Sequence, residues 1–189
     1  MDANSNNAIR LIEQAKRQTS RVIVAVDGRS GVGKSTFAAA LAAESGAVVV
    51  EGDDFYAGGV EVRGDTAEQR ADACIDRPKL IGVLQQLRSG MSVTYRPFDW
   101  EAFDGSLESP ARIVSPADVV IVEGVYAGHP DLCDLTQVRI LLRVPDELRH
   151  QRLIAREGSI GPWERQWHEA EAWYFSRLAT TANFDLVIG

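Results

Sequence analysis

The chain has 189 residues, 45% of them hydrophobic and 25% charged, a globular balance long enough for one well-packed domain and too short for two ordinary ones. A formal net charge of −7 argues against a nucleic-acid binder, and no run approaches the roughly 18 apolar residues of a membrane span. The N-terminus lacks a charged-then-apolar signal pattern, and Cys74 and Cys133 have neither paired spacing nor a nearby His cluster; the expectation is a cytoplasmic single domain over 1–189 with buried or partly buried free thiols, no zinc and no disulfide.

In chain order, Ala8, Leu11, Ile12 and Ala15 recur at helical spacing and predict a packing helix within 1–20, with Ser5 or Asn6 as its cap. The apolar run 22–26 reads as a buried strand. Behind it stands Gly28-Arg29-Ser30-Gly31-Val32-Gly33-Lys34-Ser35, a glycine, four free positions, then Gly-Lys-Ser. Such a loop wraps phosphate oxygens with backbone N–H groups and hands over to a helix whose positive dipole end faces the anion. The site calls for a nucleoside triphosphate: residues 28–36, through Thr36, cradle the phosphates, Lys34 reaches the outer ones, and the Ser35 hydroxyl is a Mg²⁺ ligand.

The loop's helix should run from Lys34 to Ser45 and end at Gly46, with a second buried strand at 47–50. Residues 56–75 are polar, with a short helix around 66–73, and Pro78 suits the first turn of a helix that stops at Gly90. Strands at 92–96 and 112–115, with a turn at Asp104-Gly105, form a hairpin-like excursion over 92–115. Further strands are expected at 119–122 and 138–144, then a helix over 146–157, a glycine-containing break at 158–162, and a last long helix marked on one face by Trp163, Trp167, Ala170 and Tyr174. A strand at 185–188 closes the series. Strands alternating with helices imply an α/β fold: a five-stranded, mostly parallel sheet flanked by helices.

Ligands in such sheets bind outside the carboxyl ends of the strands, so acids just after apolar runs draw notice. Glu51-Gly52-Asp53-Asp54 is one such place, either a site or a turn with a solvated acid pair. Glu123-Gly124 is another, where an acid engages Mg²⁺ or merely ends a strand. Arg149, Arg152 and Arg156 share one helix face ahead of the break, as a solvated face or as a lid, about 149–165, that closes over the triphosphate. His129, His150 and His168 are isolated and read as surface or packing residues. The tryptophan-rich stretch 163–175 reads as core, with a ligand platform as the other possibility.

The order of these motifs resembles the uridine kinase family of phosphate-loop kinases, whose wider group includes phosphoribulokinase and pantothenate kinase. The phosphate loop, Asp53-Asp54-Phe55-Tyr56, Asp76-Arg77-Pro78, Phe98-Asp99-Trp100, Glu123-Gly124-Val125-Tyr126-Ala127 and the arginine helix carry the likeness over most of 20–189. The resemblance implies the P-loop nucleoside triphosphate hydrolase fold of nucleoside and nucleotide kinases, with ATP and Mg²⁺. It makes Asp53 the carboxylate that accepts the proton of the attacking hydroxyl, ionised without a raised pKa because Mg²⁺ lies beside it. Ser35, Asp53 and Glu123 become the metal set, and Arg152 and Arg156 the lid arginines. Tyr56, Asp76, Phe98 and Asp99 would meet a small-molecule acceptor, first of all a nucleoside such as uridine or cytidine. The family's base-contacting histidine falls near Phe103, where this chain has none, so a sugar or vitamin-precursor alcohol, or a nucleotide-regulated ATPase, stays open.

Overall fold

The structure is a computed structural model and describes residues 3–189. Its elements are α1 (Ala3–Lys16), β1 (Val22–Asp27), α2 (Lys34–Ser45), β2 (Val48–Glu51), α3 (Ala67–Ala73), α4 (Arg77–Arg88), β3 (Val93–Tyr95), β4 (Arg112–Val114), β5 (Val119–Glu123), β6 (Val138–Leu142), α5 (Asp146–Glu157), α6 (Pro162–Arg177) and β7 (Leu186–Ile188). Five strands form one sheet in the order β2-β5-β1-β6-β7, every pair parallel. Strands β3 and β4 form a separate antiparallel ribbon, the hairpin expected over 92–115.

Both faces of the sheet are covered, which is why its strands are continuous apolar runs rather than alternating ones. Val22, Val24 and Val26 pack with Ala8, Ile12, Ala38 and Leu41 of α1 and α2. Ile23 and Ala25 face the other way, into a core with Leu80 and Leu84 of α4 and Ala170 and Tyr174 of α6. Central β1 pairs with β5 on one side and β6 on the other, so the loop leaving it opens into the crevice where strand order reverses.

Three local expectations change. The first helix begins at Ala3, so Ser5 and Asn6 lie inside it rather than capping it. Strand β6 stops at Leu142, because Arg143 is already exposed and Pro145 stands at the N-cap of α5. Of the two free thiols Cys74 is buried, but Cys133 is exposed, just after a short 3-10 turn. Among the described residues no helix is long and apolar enough to cross a membrane.

Candidate active site

The phosphate loop is shaped by its glycines. A Cβ on Gly28 would stand 2.5 Å from the Leu142 carbonyl oxygen, and one on Gly31, where φ is +84°, would stand 3.0 Å from the carbonyl oxygen of Arg149. The loop is thus pressed against β6 and α5, and only glycine fits there. Gly33, also left-handed, is the N-cap of α2 and offers no side chain to its first N–H groups, which remain open to an anion. Lys34 is buried at the base, its Nζ donating to the Arg29 carbonyl at 3.3 Å.

Two strand ends bring carboxylates to the loop. Glu123 closes β5, buried and hydrogen-bonded to Ser35; burial raises its pKa, and the Ser35 bond and Lys34 act against the rise. Asp53 sits in the 3-10 turn after β2, and its buried Oδ1 has no hydrogen-bond partner. Burial raises the Asp53 pKa, Lys34 lowers it, and Glu171 and Glu51 raise it. Among the protein's own groups, desolvation outweighs the neighbouring ammonium and raises the Asp53 pKa. Asp54 is occupied: it accepts from the Tyr95 hydroxyl at 2.8 Å and from Arg112 at 2.7 Å, and burial pushes its pKa up to about 6.

The arginines of α5 separate into three roles. Arg149 is buried against the loop and bonds Asp146 at 3.1 Å, which ends the reading of this face as merely solvated. Arg152 reaches over the loop, donating to the carbonyls of Gly31 and Val32 at 3.3 Å each. Arg156 is exposed, bonds Glu157 at 2.6 Å, and lines both the phosphate-loop pocket and the cavity beside it.

That cavity, about 500 Å³, adjoins the loop at Ser30 and Asp53. Its aromatic walls are Trp100, Phe103, Trp163 and Trp167, with His168 beside them. The four side chains expected to meet an acceptor are not its lining. Asp76 is exposed and caps α4, accepting from the Lys79 N–H at 3.0 Å. Asp99 caps its own turn through the N–H groups of Glu101 and Ala102. Phe98 is buried, bridged to Leu107, and Tyr56 stands behind the cavity, its hydroxyl on the Gly59 carbonyl and its ring against Phe98, Trp100, Trp163 and Trp167. Trp167 is buried in the core and Trp163 packs against it, as the core reading of the stretch expects, and both also line the cavity, as does the half-buried His168.

Sequence reasoning also missed two buried acids that tie α6 to the loop. Asp27, at the end of β1, accepts from the N–H of Gly28 at 2.7 Å, the N–H of Gly128 at 2.8 Å and the Tyr174 hydroxyl at 2.7 Å; burial still raises its pKa to about 6. Glu171, fully buried, accepts from the Ser30 N–H at 3.1 Å, from the Ser30 hydroxyl, and from the Trp167 indole at 2.6 Å. The usable signal was an acid on an apolar helix face: Trp167, Ala170, Glu171 and Tyr174 follow i, i+3, i+4, i+7.

Known proteins share this frame. Uridine kinase-like protein 3 of Arabidopsis thaliana is 27% identical over 165 residues, which are 83% of this chain and 35% of the plant protein. The chain thus spans about a third of that relative's length. The uridine kinase of Ligilactobacillus salivarius (strain UCC118) is 26% identical over 153 residues, 76% of this chain and 70% of its own. In fold, a provisionally named fructose transport system kinase from Silicibacter sp. TM1040 superposes with a TM-score of 0.77 over 100% of both chains at 24% identity. The sequence profile of the phosphoribulokinase / uridine kinase family matches residues 23–160, from β1 through the arginine helix, and the chain belongs to that family.

Proposed function

We propose that the protein is an ATP- and Mg²⁺-dependent kinase that phosphorylates a hydroxyl of a small metabolite, a nucleoside being the first acceptor class. The observation that carries this is the place of Asp53: an unpartnered buried carboxylate oxygen where the phosphate-loop pocket meets an aromatic cavity. A hydrolase of ATP alone has no use for that second cavity.

The residues fit both absent groups. The loop, with open N–H groups at the start of α2 and Lys34 at its base, suits a triphosphate. Ser35, Asp53 and Glu123 offer hard oxygens to Mg²⁺, and among the described residues no cluster of three or more His, Cys, Asp or Glu could hold a metal alone. Such a set fits an ion that takes the rest of its ligands from phosphate and water. When bound, Mg²⁺ neutralises charge on the outer phosphates. Lys34 does the same from the protein side. Asp53 orients the acceptor hydroxyl and receives its proton, and Arg152 and Arg156, on the lid over 149–165, stabilise charge on the transferred group. Acceptor contacts fall to Trp100, Phe103, Trp163 and Trp167 instead of Tyr56, Asp76, Phe98 and Asp99.

A second reading changes only the acceptor. Phe103 lines the cavity with a hydrocarbon ring where the resemblance implied a base-contacting histidine, which favours an alcohol other than a pyrimidine nucleoside. The test is ADP release across a panel of nucleosides, sugars and vitamin-precursor alcohols. Release that rises with one acceptor class supports the kinase. An equal slow release with every compound refutes it and leaves a nucleotide-regulated ATPase.

A further inference from the structure

The cavity beside the loop has walls made of flat rings. Trp163 stacks on Trp167, centroids 5.7 Å apart and planes 20° apart; Trp100 stacks on Phe103 at 6.1 Å and 23°. The two stacks meet nearly at right angles, with Phe103 5.0 Å from Trp163 at 87°. A corner of this kind offers π faces in two directions, and indole is the ring that attracts a cation most strongly.

The rest of the lining is acidic. Asp53, Asp54, Glu51, Glu108, Glu157 and Glu164 face the cavity, against the guanidiniums of Arg112 and Arg156. His168 adds no charge at neutral pH, since burial lowers its pKa. Both guanidiniums are already engaged: Arg112 with Asp54 at 2.7 Å and Glu51 at 3.5 Å, Arg156 with Glu157 at 2.6 Å. Cation–ring contacts among the described residues are Lys79 over Phe55 and Arg139 over Phe184, so no protein cation covers the cavity's rings. Carboxylates thus outnumber guanidiniums by four in this cavity, and a triphosphate beside it adds more negative charge. A phosphate or carboxylate on the acceptor would be repelled there, and a positive group would be held by the ring faces and the acids together.

We infer that the acceptor is a cationic, planar-ring alcohol, its charged ring in the corner between Trp100 and Trp163 and its hydroxyl toward Asp53. The placement of the hydroxyl rests on the kinase reading above; recognition of ring and charge does not. In the transfer, a bond forms between the hydroxyl oxygen and the γ-phosphorus as the bond from that phosphorus to the β–γ bridging oxygen breaks. The hydroxyl proton passes to Asp53 and ADP departs.

The experiment is calorimetric titration of the full chain with three ribosides that share a sugar and a pyrimidine ring: 3-methylcytidine, a cation at neutral pH; cytidine, neutral; and orotidine, an anion. We expect 3-methylcytidine to bind about tenfold or more tighter than cytidine, with orotidine weakest. Trp163→Leu should abolish the preference and Trp163→Phe should keep most of it, which a purely structural role for the indole would not produce. Glu164→Gln, a milder change, should narrow the gap between cation and neutral form. No binding of 3-methylcytidine, or cytidine or orotidine binding as tightly, overturns the inference. Phosphorylation of cytidine in that event leaves the kinase reading standing. Tight binding of 3-methylcytidine, with ADP release equally slow for it and for every compound of the acceptor panel, supports cation recognition and refutes the kinase reading instead.

Discussion

Replacing Tyr174 by Phe removes one oxygen from a fully buried position and takes a donor from a carboxylate that has three. The Tyr174 hydroxyl lies 2.7 Å from Asp27 Oδ2, and a bond to an ionised group is worth about 1.5–3 kcal/mol. The cost must depend on pH. Asp27 titrates near 6 in the folded chain against an ordinary value of 3.8, so the native state binds the proton more tightly than the unfolded one. Its contribution to stability is therefore present below about pH 4 and lost as pH rises to about 6, a fall of about 3 kcal/mol for two units. Without Tyr174 the anion loses a donor and the folded pKa climbs further. At pH 5, where Asp27 is largely protonated, the lost bond is a neutral one of about 1 kcal/mol. Urea denaturation at pH 5.0 and 7.5 should thus show Tyr174→Phe costing about 1 kcal/mol at the lower pH and about 2–3 kcal/mol at the higher. A cost independent of pH, or larger at pH 5.0, would refute the reasoning.

Lys34→Ala should lower turnover by about two orders of magnitude or more with the fold intact by circular dichroism, since Lys34 supplies charge to the outer phosphates; unchanged turnover would remove the central claim. Asp53→Asn should cut kcat sharply with nearly unchanged ATP affinity, whereas Arg156→Ala should reduce kcat through lost charge stabilisation and leave acceptor KM less affected, a split that steady-state kinetics resolves. Glu171→Ala frees Ser30 and leaves the buried Trp167 indole without its closest acceptor, so ADP affinity and thermal stability should fall together, by about 2 kcal/mol of stability. Loss of one without the other would separate Glu171 from the loop.

The strands were legible because both faces of the sheet are buried. Runs such as 22–26 and 119–122 have no polar interruption, and the glycine-lysine-serine loop between strand and helix has few other uses. The acid pair after β2 was legible as a site, but its division of labour was not: Asp54 is turned into the β3–β4 ribbon by Tyr95 and Arg112, partners more than forty positions away in the chain. The lining of the cavity beside the loop was not legible for a similar reason. The 96–111 connection is irregular, and the Phe98–Leu107 bridge decides that Phe98 faces the core while Trp100 and Phe103 face the cavity. Spacing cannot supply that choice. Asp76, expected to meet an acceptor, also caps the helix that starts at Arg77, a role its place just before Arg77-Pro78 allows.

The bonds from α6 to the loop have a consequence for how the protein is made. Asp27 and Ser30 are synthesised early, but their partners Tyr174 and Glu171 lie 147 and 141 positions later. At ribosomal speeds of about 5–20 residues per second, the loop waits roughly 7–30 s for them. During that interval the nascent chain carries the glycine motif, its lysine and the first strands, yet lacks the groups that satisfy two of its most constrained positions. These late partners fall beyond the 23–160 stretch that matches the family profile. The loop's full set of hydrogen bonds accordingly arrives with the same helix that completes the aromatic cavity.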